Sequence, residues 1–397
     1  MGALGIVCEY NPFHLGHLFQ MEEGRRRSKE ELIICVMSGD YVQRGEAAMM
    51  TKYARAESAC RCGADLVAEL PLPWCLSSAE GFASGAVSIL DALGCSTLCF
   101  GSETGELADL QHAADLLLEE ETSLSIRELL RKDPSLSYAK ARQKILERQI
   151  GEKAELLRQP NNILALEYLK AIRLNSFNMT ALAVKRQGAW HDTLEEKGAP
   201  SAKKIRKLYL AGEDIDLYLP PASAEVLNRE KKMGRLFQRD CLEGLLRSRL
   251  IQLSADDFDA LPDAGDGAGR HLYKCLREGK NLRETVEQAA SKRFTKARMR
   301  RMLLCASLGV RSEDLQGTPP YARLLACNEK GRAYLAENRE DISIPVLAKP
   351  AAVKKLGPYA EHVFALGASA HDLYSLQKRP GADIDLDEDW KTGPVIV

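Results

Sequence analysis

Short apolar runs punctuate the first hundred positions: Gly5-Ile6-Val7-Cys8, Leu32-Ile33-Ile34-Cys35-Val36-Met37, Ala64-Asp65-Leu66-Val67-Ala68-Glu69 and Ser96-Thr97-Leu98-Cys99-Phe100. Each has the length of a strand, and none shows the strict polar alternation of a strand with one wet face. Segments of helical period and length separate them, at 18–27, 51–62 and 78–93. Alternation of this kind predicts an α/β fold, a parallel sheet with helices on both faces. A further strand is expected at 180–184, after an excursion over about 106–174 whose repeated Leu, Glu, Arg and Lys read as helical. Beyond Pro220-Pro221, up to about residue 346, no convincing series of strands is visible, which predicts a mostly α second domain. The expected organisation is thus 1–218 with a helical insertion at about 106–174, then 219–379, then a tail at 380–397. That tail carries Asp383, Asp385, Asp387, Glu388 and Asp389 and reads as a solvated acidic extension.

Composition sharpens this picture only in places. A chain of 397 residues with 45% hydrophobic positions is long enough for two cored units, and its net charge of -1 points to no partner by itself. Eleven cysteines, with a strand beginning directly after Met1-Gly2-Ala3, suggest reduced thiols, no disulfides and a cytoplasmic protein. Cys60, Cys62, Cys95 and Cys99 lack the paired spacings of a zinc site, and most cysteines sit in apolar runs, so no metal site is expected. No apolar run approaches the roughly 20 residues of a membrane span.

The chemistry concentrates where the first strand ends. In Gly5-Ile6-Val7-Cys8-Glu9-Tyr10-Asn11-Pro12-Phe13-His14-Leu15-Gly16-His17 a strand breaks at a proline and re-enters helix through His-x-Gly-His. The N-H groups of such a helix start can face an anion, and His14 and His17, three apart, project from one side of its first turn. Two fixed imidazoles could meet the charge that builds when a nucleophile attacks the α-phosphate of ATP. Gly16 would let the nucleotide approach the backbone. Ligands of open parallel sheets bind beyond the carboxyl ends of the strands, and the loops at 14–17, 38–40, 101–103 and 185–188 converge there. Ser201-Ala202-Lys203-Lys204-Ile205-Arg206 opens a serine-capped helix with cations in its first turns, tolerable if a phosphate lies between them. Further on, Ser291-Lys292-Arg293-Phe294-Thr295-Lys296-Ala297-Arg298-Met299-Arg300-Arg301 has no acid between its cations and one aromatic ring, a composition suited to RNA. Arg25, Arg26 and Arg27 form a second basic cluster, expected near the nucleotide end.

Several blocks together resemble the bacterial tRNA(Met) cytidine acetate ligases: residues 5–17; Met37-Ser38-Gly39-Asp40-Tyr41-Val42-Gln43-Arg44-Gly45-Glu46; residues 64–71; Phe100-Gly101-Ser102-Glu103; Pro160-Asn161-Asn162-Ile163-Leu164; Lys185-Arg186; and residues 291–295. The resemblance spans nearly the whole chain, in order, whereas His-x-Gly-His alone marks only the broad nucleotidyltransferase superfamily. It implies a Rossmann-like nucleotidyltransferase sheet with a helical C-terminal domain. The activity implied uses ATP, with Mg2+ on the triphosphate, to activate acetate as acetyl-adenylate and acetylate the wobble cytidine of elongator tRNA(Met). The resemblance further implies ATP contacts from Ile6, Val7, Cys8, Glu9, Tyr10, Asn11, Pro12, Phe13, His14, Leu15, Gly16, His17, Leu18, Phe19 and Gln20, and from Gly101, Asn161, Asn162 and Arg186. Ser201 to Arg206 resembles the motif that steadies the triphosphate. Two positions depart from the family pattern, Leu15 and Asp40, where asparagine is favoured.

Residue by residue, His14, His17 and Arg206 are the expected catalytic groups, with Arg186 fixing phosphates by forked hydrogen bonds. Asn161 or Asn162 could instead cap the helix that follows. Ser38, Gly39, Asp40, Gln43 and Arg44 form the expected acetate or cytidine pocket, with an ion pair from Arg44 to Glu46 or Glu57 as the structural alternative. Glu9 is expected to orient a histidine, ahead of receiving a hydrogen of the cytidine amine. His191-Asp192 lacks a nearby serine or cysteine with a nucleophile motif, which argues against a hydrolase dyad. Lys292, Arg293, Lys296, Arg298, Arg300 and Arg301 are the expected tRNA contacts, with a solvated helix face as the alternative. Two other functions fit parts of this pattern: a small-molecule adenylyltransferase of cofactor synthesis, and an RNA-binding module without activity.

Overall fold

The computed structural model describes residues 2–133, 135–186, 200–237, 239–377 and 386–397. Gln187, Gly188, His191, Asp192 and the tail residues 380–385 lie outside them. Five predicted strands form: β1 (Ala3–Cys8), β2 (Leu32–Ser38), then, after the two short strands β3 (Tyr41–Val42) and β4 (Glu46–Ala47), β5 (Leu66–Leu70), β6 (Cys95–Ser102) and β7 (Thr180–Lys185). β5, β2, β1, β6 and β7 lie side by side in that order, all parallel. Alternate residues serve opposite faces, with Ile34, Val36, Leu66 and Leu98 in one core and Leu4, Ile6, Ile33 and Val67 in the other. Burial on both sides is why these strands read as continuous apolar runs.

The predicted helices form at Leu15–Ser28, Lys52–Arg61 and Ala79–Ala92, the last two started by Thr51 and Ser78 hydroxyls that accept from Ala54 N and Gly81 N. The helical excursion resolves into four α-helices, at Leu107–Leu118, Glu120–Lys132, Tyr138–Ile150 and Pro160–Leu174, with one 3₁₀ segment between the last two.

The C-terminal half departs from expectation. It is mostly helical, yet β8 (Ala322–Cys327) joins the sheet antiparallel to β5, and two-residue strands β9 (Val346–Leu347) and β10 (Val395–Ile396) flank it. Ala-Arg-Leu-Leu-Ala-Cys has no β-branched residue and carries Arg323 at its second position, so it resembles the helical text around it. The strand accepts that arginine because Glu69 on β5 and Asp389 of the tail pair with it, at 3.3 and 2.7 Å. The tail is accordingly no solvated extension over residues 386–397. Asp389 is fully buried, Trp390 packs on Phe364 with ring centroids 4.5 Å apart, and β10 closes the sheet edge.

Helices at Ala268–Glu278, Leu282–Ala289 and Lys296–Leu308 build a separate apolar cluster, and Tyr41, Ala47, Leu72 and Leu76 enter it from the sheet side. The β3–β4 hairpin is therefore a bolt between the two halves. At its tip Gly45 has φ +70° and lies so close to the backbone of Arg300 and Arg301 that any Cβ would overlap them.

Candidate active site

The first turn of the Leu15–Ser28 helix is built from its own histidines. His14 is the N-cap, its Nδ1 accepting from Gly16 N at 3.0 Å, while His17 Nδ1 accepts from His14 N at 3.3 Å. The two rings stack with centroids 3.7 Å apart and planes 25° from parallel. Tyr10 and Phe13 pack on His17 from behind, at 4.9 and 5.7 Å between centroids. A Cβ on Gly16 would come within 2.8 Å of His14 Cε1, so this glycine makes room for the imidazole that caps the helix as well as for any ligand.

Electrostatics then fix the proton positions. Burial, with repulsion from Arg186 second, lowers the His14 pKa from its ordinary 6.5 to about 3. Burial, His14 and Arg186 push His17 well down too. Both rings are neutral near pH 7, and since each Nδ1 accepts a backbone N-H, each proton sits on Nε2. The pair offers two parallel N-H donors and no acceptor.

Around them the ends of β6 and β7 converge. Arg186, just past β7, reaches Asn161 Oδ1 at 3.4 Å, and its aliphatic stem passes Gly101, where a Cβ would lie 3.4 Å from Arg186 Cγ and 3.6 Å from Gln20 Oε1. Glu103, part of a motif block in the sequence but given no role there, organises this corner. Its carboxylate accepts from Asn161 N, Asn161 Nδ2 and Asn162 N at 3.1, 2.6 and 2.9 Å, capping the Pro160–Leu174 helix. Neither asparagine caps that helix. Asn162 is buried and its Oδ1 takes Ser102 Oγ and Glu103 N, whereas Asn161 is turned toward Arg186.

On the opposite wall Arg206 donates to Asn11 O at 2.7 Å and lies 3.6 Å from Glu46. Ser201 caps the Ala202–Leu210 helix that carries it, accepting from Lys204 N. Arg44 is exposed, and neither expected partner holds it, because Glu46 pairs with Arg300 at 3.0 Å and Glu57 with Arg229 at 2.7 Å. Burial first, and repulsion from Arg44 among the lesser causes, keeps Arg186 and Arg206 below the ordinary guanidinium range. Arg186 is close enough to both imidazoles to repel their protons, and Arg44 close enough to Arg186 and Arg206 to repel both, a gathering of cations and N-H donors suited to a polyanion.

Other expectations are redirected. Ser38, Gly39 and Asp40 do not line a pocket with their side chains. Ser38 is buried, and a Cβ on Gly39 would lie 2.7 Å from Glu69 Oε1. Asp40 accepts from Lys52 N at 2.8 Å and pairs with His371 Nδ1 at 2.7 Å, so the departure from asparagine is answered by a buried cation and not by a ligand. Arg55, also missed, gathers the carbonyls of Glu9, Ser38, Gly39 and Met50 and thereby shapes the floor. Glu9 orients neither histidine; its Oε1 accepts from Gln43 N at 2.9 Å. Of the remaining N-terminal span, Ile6 and Cys8 belong to the core, Leu18 and Phe19 pack against it, Asn11 Oδ1 accepts from Met49 N, and Leu15 is 40% exposed.

The basic run is divided. Phe294 is buried and offers no stacking face. Arg293 and Arg298 sit 5.5 and 5.2 Å from its ring, and Arg298 also donates to the carbonyls of Asp263 and Gly265. Arg300 and Arg301 are occupied by Glu46 and Asp263. Lys292, Arg293 and Lys296 remain exposed. Lys296 and Arg300 line a cleft of about 620 Å³ between the halves, together with Lys203, Arg206 and Lys207 and an apolar floor that includes Met49, Phe237 and Leu303. Arg25, Arg26 and Arg27 sit in the last turn of their helix, roughly 16 Å from His14 at 1.5 Å per residue. They bond Gly63 O, Glu23 and Ala183 O, away from the nucleotide end. No group of three or more His, Cys, Asp or Glu placed to hold a metal occurs among the described residues, and none of their helices is long and apolar enough to cross a membrane. The ten described cysteines are unpaired.

Residues 1–388 match the family model for HIGH Nucleotidyl Transferase. The tRNA(Met) cytidine acetate ligase of Acetivibrio thermocellus is 34% identical over 395 residues, covering 94% of each chain. That of Syntrophotalea carbinolica is 35% identical over 419 residues, covering 100% of this chain and 99% of its own. Crystal structures of Thermotoga maritima TmcAL, apo and bound with alpha-thio ATP, superpose with TM-scores of 0.93 and 0.91 at 31% and 30% identity, each over 100% of both chains. With fold, motif geometry and full-length similarity in agreement, the chain belongs to the HIGH nucleotidyltransferase family and, within it, to the tRNA(Met) cytidine acetate ligases.

Proposed function

We propose that this chain uses ATP to activate acetate as acetyl-adenylate and then acetylates the wobble cytidine of elongator tRNA(Met) to N4-acetylcytidine. The observation that carries the reading is the stacked pair His14 and His17, both neutral and both presenting Nε2-H beside Arg186, with Arg44 near Arg186 and Arg206. Acetate attacks the α-phosphorus, pyrophosphate leaves with the bond pair, and charge on the non-bridging oxygens meets donors already fixed in place. A neutral imidazole whose Nδ1 accepts a backbone N-H holds its single proton on Nε2, aimed at the ligand. Asn161, Arg186 and Gly101 fit the nucleotide side of the pocket, and Arg206 fits the pyrophosphate. Mg2+ would arrive on the triphosphate and keep most of its water, since the described residues provide no dedicated cage.

RNA suits the cleft between the halves, whose lining holds six cations against three glutamates beside apolar residues, and Lys292 and Arg293 are exposed a few residues before Lys296 in the chain. In this reading residues 1–218 perform the chemistry, residues 219–379 hold the RNA, and the site of action is the cytoplasm, where tRNA and reduced thiols are found together.

The test is acetate-dependent exchange of pyrophosphate into ATP, followed by detection of N4-acetylcytidine on a tRNA(Met) transcript. Purified protein showing neither would overturn the proposal, and a stable adenylylated metabolite would favour cofactor synthesis instead. Replacing Lys292 and Lys296 by Gln should reduce the slope of log affinity against log salt by about 1 for each phosphate no longer neutralised. An unaltered slope takes those lysines off the RNA surface.

A further inference from the structure

The second half of such a reaction needs a proton acceptor, and the histidines cannot supply one. When the cytidine N4 attacks the acetyl carbonyl, the nitrogen must shed a proton as the carbonyl re-forms and AMP departs. His14 and His17 have their Nδ1 lone pairs committed to Gly16 N and His14 N, and they present only N-H to the opening.

The carboxylates can be taken in turn. Glu103 is spent on three N-H donors at the Pro160–Leu174 helix start. Glu46 lies between Arg300 and Arg206, and Asp40 is buried against His371. Glu9 differs from all of these. It follows the last residue of β1 and is half-buried, its Oε1 fixed by Gln43 N at 2.9 Å, and no protein hydrogen bond or ion pair occupies Oε2 among the described residues. Arg206 is close enough to feel its charge yet bonds the carbonyl of Asn11. A carboxylate held by one oxygen, with the other left open beside a polyanion receptor, is badly placed to bind phosphate. It is well placed to accept an N-H. Gln43, which holds it, begins the hairpin turn whose Gly45 and Glu46 line the 620 Å³ cleft, and Arg206, which also lines that cleft, feels the charge of Glu9.

We propose that Glu9 Oε2 receives a hydrogen of the cytidine exocyclic amine, reading the base as cytidine and taking the proton released on acetyl transfer. This rests on the function proposed above. The N4 lone pair forms the bond to the acetyl carbon, the carbonyl π electrons move to oxygen, and the N4 proton passes to Glu9. Collapse of the tetrahedral carbon then expels AMP with the electrons of the C-O bond, and Glu9 returns its proton to solvent. The same contact selects the base, because cytosine presents an N4-H donor where uracil presents the O4 acceptor, which a carboxylate repels.

Glu9→Gln tests this with the fold preserved, since the amide oxygen can still accept from Gln43 N. In single turnover from preformed acetyl-adenylate, E9Q should transfer acetyl to tRNA(Met) roughly 10²- to 10⁴-fold more slowly than wild type. Acetate-dependent exchange should fall by far less, and Glu9→Asp should recover part of the transfer rate. In competition binding the wild-type preference for wobble cytidine over wobble uridine should shrink by about tenfold in E9Q. Transfer at the wild-type rate, or equal losses in exchange and transfer, would overturn the proposal, the latter making Glu9 a nucleotide or metal contact. A wild-type enzyme without exchange would instead remove the function on which it rests.

Discussion

His17 illustrates how a side chain becomes a donor by position alone. Its Nδ1 is tied to a backbone N-H, its ring is stacked on His14 and backed by Tyr10 and Phe13, and burial, with repulsion from His14 and Arg186, keeps it uncharged. His17→Ala removes one preorganised donor and should slow acetate-dependent exchange by about 10²- to 10³-fold. RNA affinity should stay near the wild-type value, and loss of both would indicate misfolding. His14 adds a stability signature. The unfolded chain binds this proton near pH 6.5 and the folded chain only near 3, so between those values the unfolded state holds more protons and stability falls as pH drops. The contribution reaches at most about 4 kcal/mol by pH 3. His14→Asn keeps an N-cap oxygen, and thermal unfolding between pH 6.5 and 3 should show a shallower acid slope than wild type.

Helix starts carry the site at the scale of elements. The Leu15–Ser28 helix is capped from within, by a residue that its own motif supplies, and so it was legible in the sequence. The Pro160–Leu174 helix has no side-chain cap of its own; Glu103 reaches it from a strand end nearly sixty residues earlier, a link no local pattern could show. Glu103→Gln leaves one acceptor oxygen where the carboxylate had two, and should cost about 1–2 kcal/mol of stability. Because Asn161 and Arg186 lean on that carboxylate, KM for ATP in the exchange assay should rise severalfold with a smaller change in kcat. An unchanged KM would detach the cap from the nucleotide pocket.

At the scale of the molecule, the C-terminal segment holds the site's floor. Lys52 bonds Glu69 and Asp389; Arg323 bonds the same two carboxylates; His371 joins Asp40 to Glu388 at 2.7 and 2.9 Å. Burial alone would lower the His371 pKa, but Asp40, Asp389 and the hydrogen bonds to Asp40 and Glu388 together raise it to about 10. Its charge stabilises the fold fully below pH 6.5, and the gain is lost as pH climbs to 10. Unfolding measured from about pH 7 to 10 should therefore show declining stability, and His371→Gln should flatten that decline even if its overall stability is lower. Deleting residues 386–397 takes Asp389 from Lys52 and Arg323 and Glu388 from His371, and leaving three buried cations with only Glu69 and Asp40 should cost about 3–5 kcal/mol. A truncated chain with the wild-type melting temperature would contradict this arrangement.

Five parallel strands, the helices between them and the His-x-Gly-His turn follow from the sequence unaided, because each rests on local periodicity, capping and burial on both sheet faces. Tertiary structure, by contrast, sets the company each charged group keeps. Asp40 stood in the sequence as a pocket residue and Asp389 as part of a wet tail, yet 331 residues separate Asp40 from the histidine that neutralises it, and Asp389 is buried beside Lys52. β8 was hidden for the same reason, since Arg323 suits a strand only where Glu69 and Asp389 already wait. Pairing energy depends on separation in space, and the order of residues along the chain reports it only for neighbours within a turn or two.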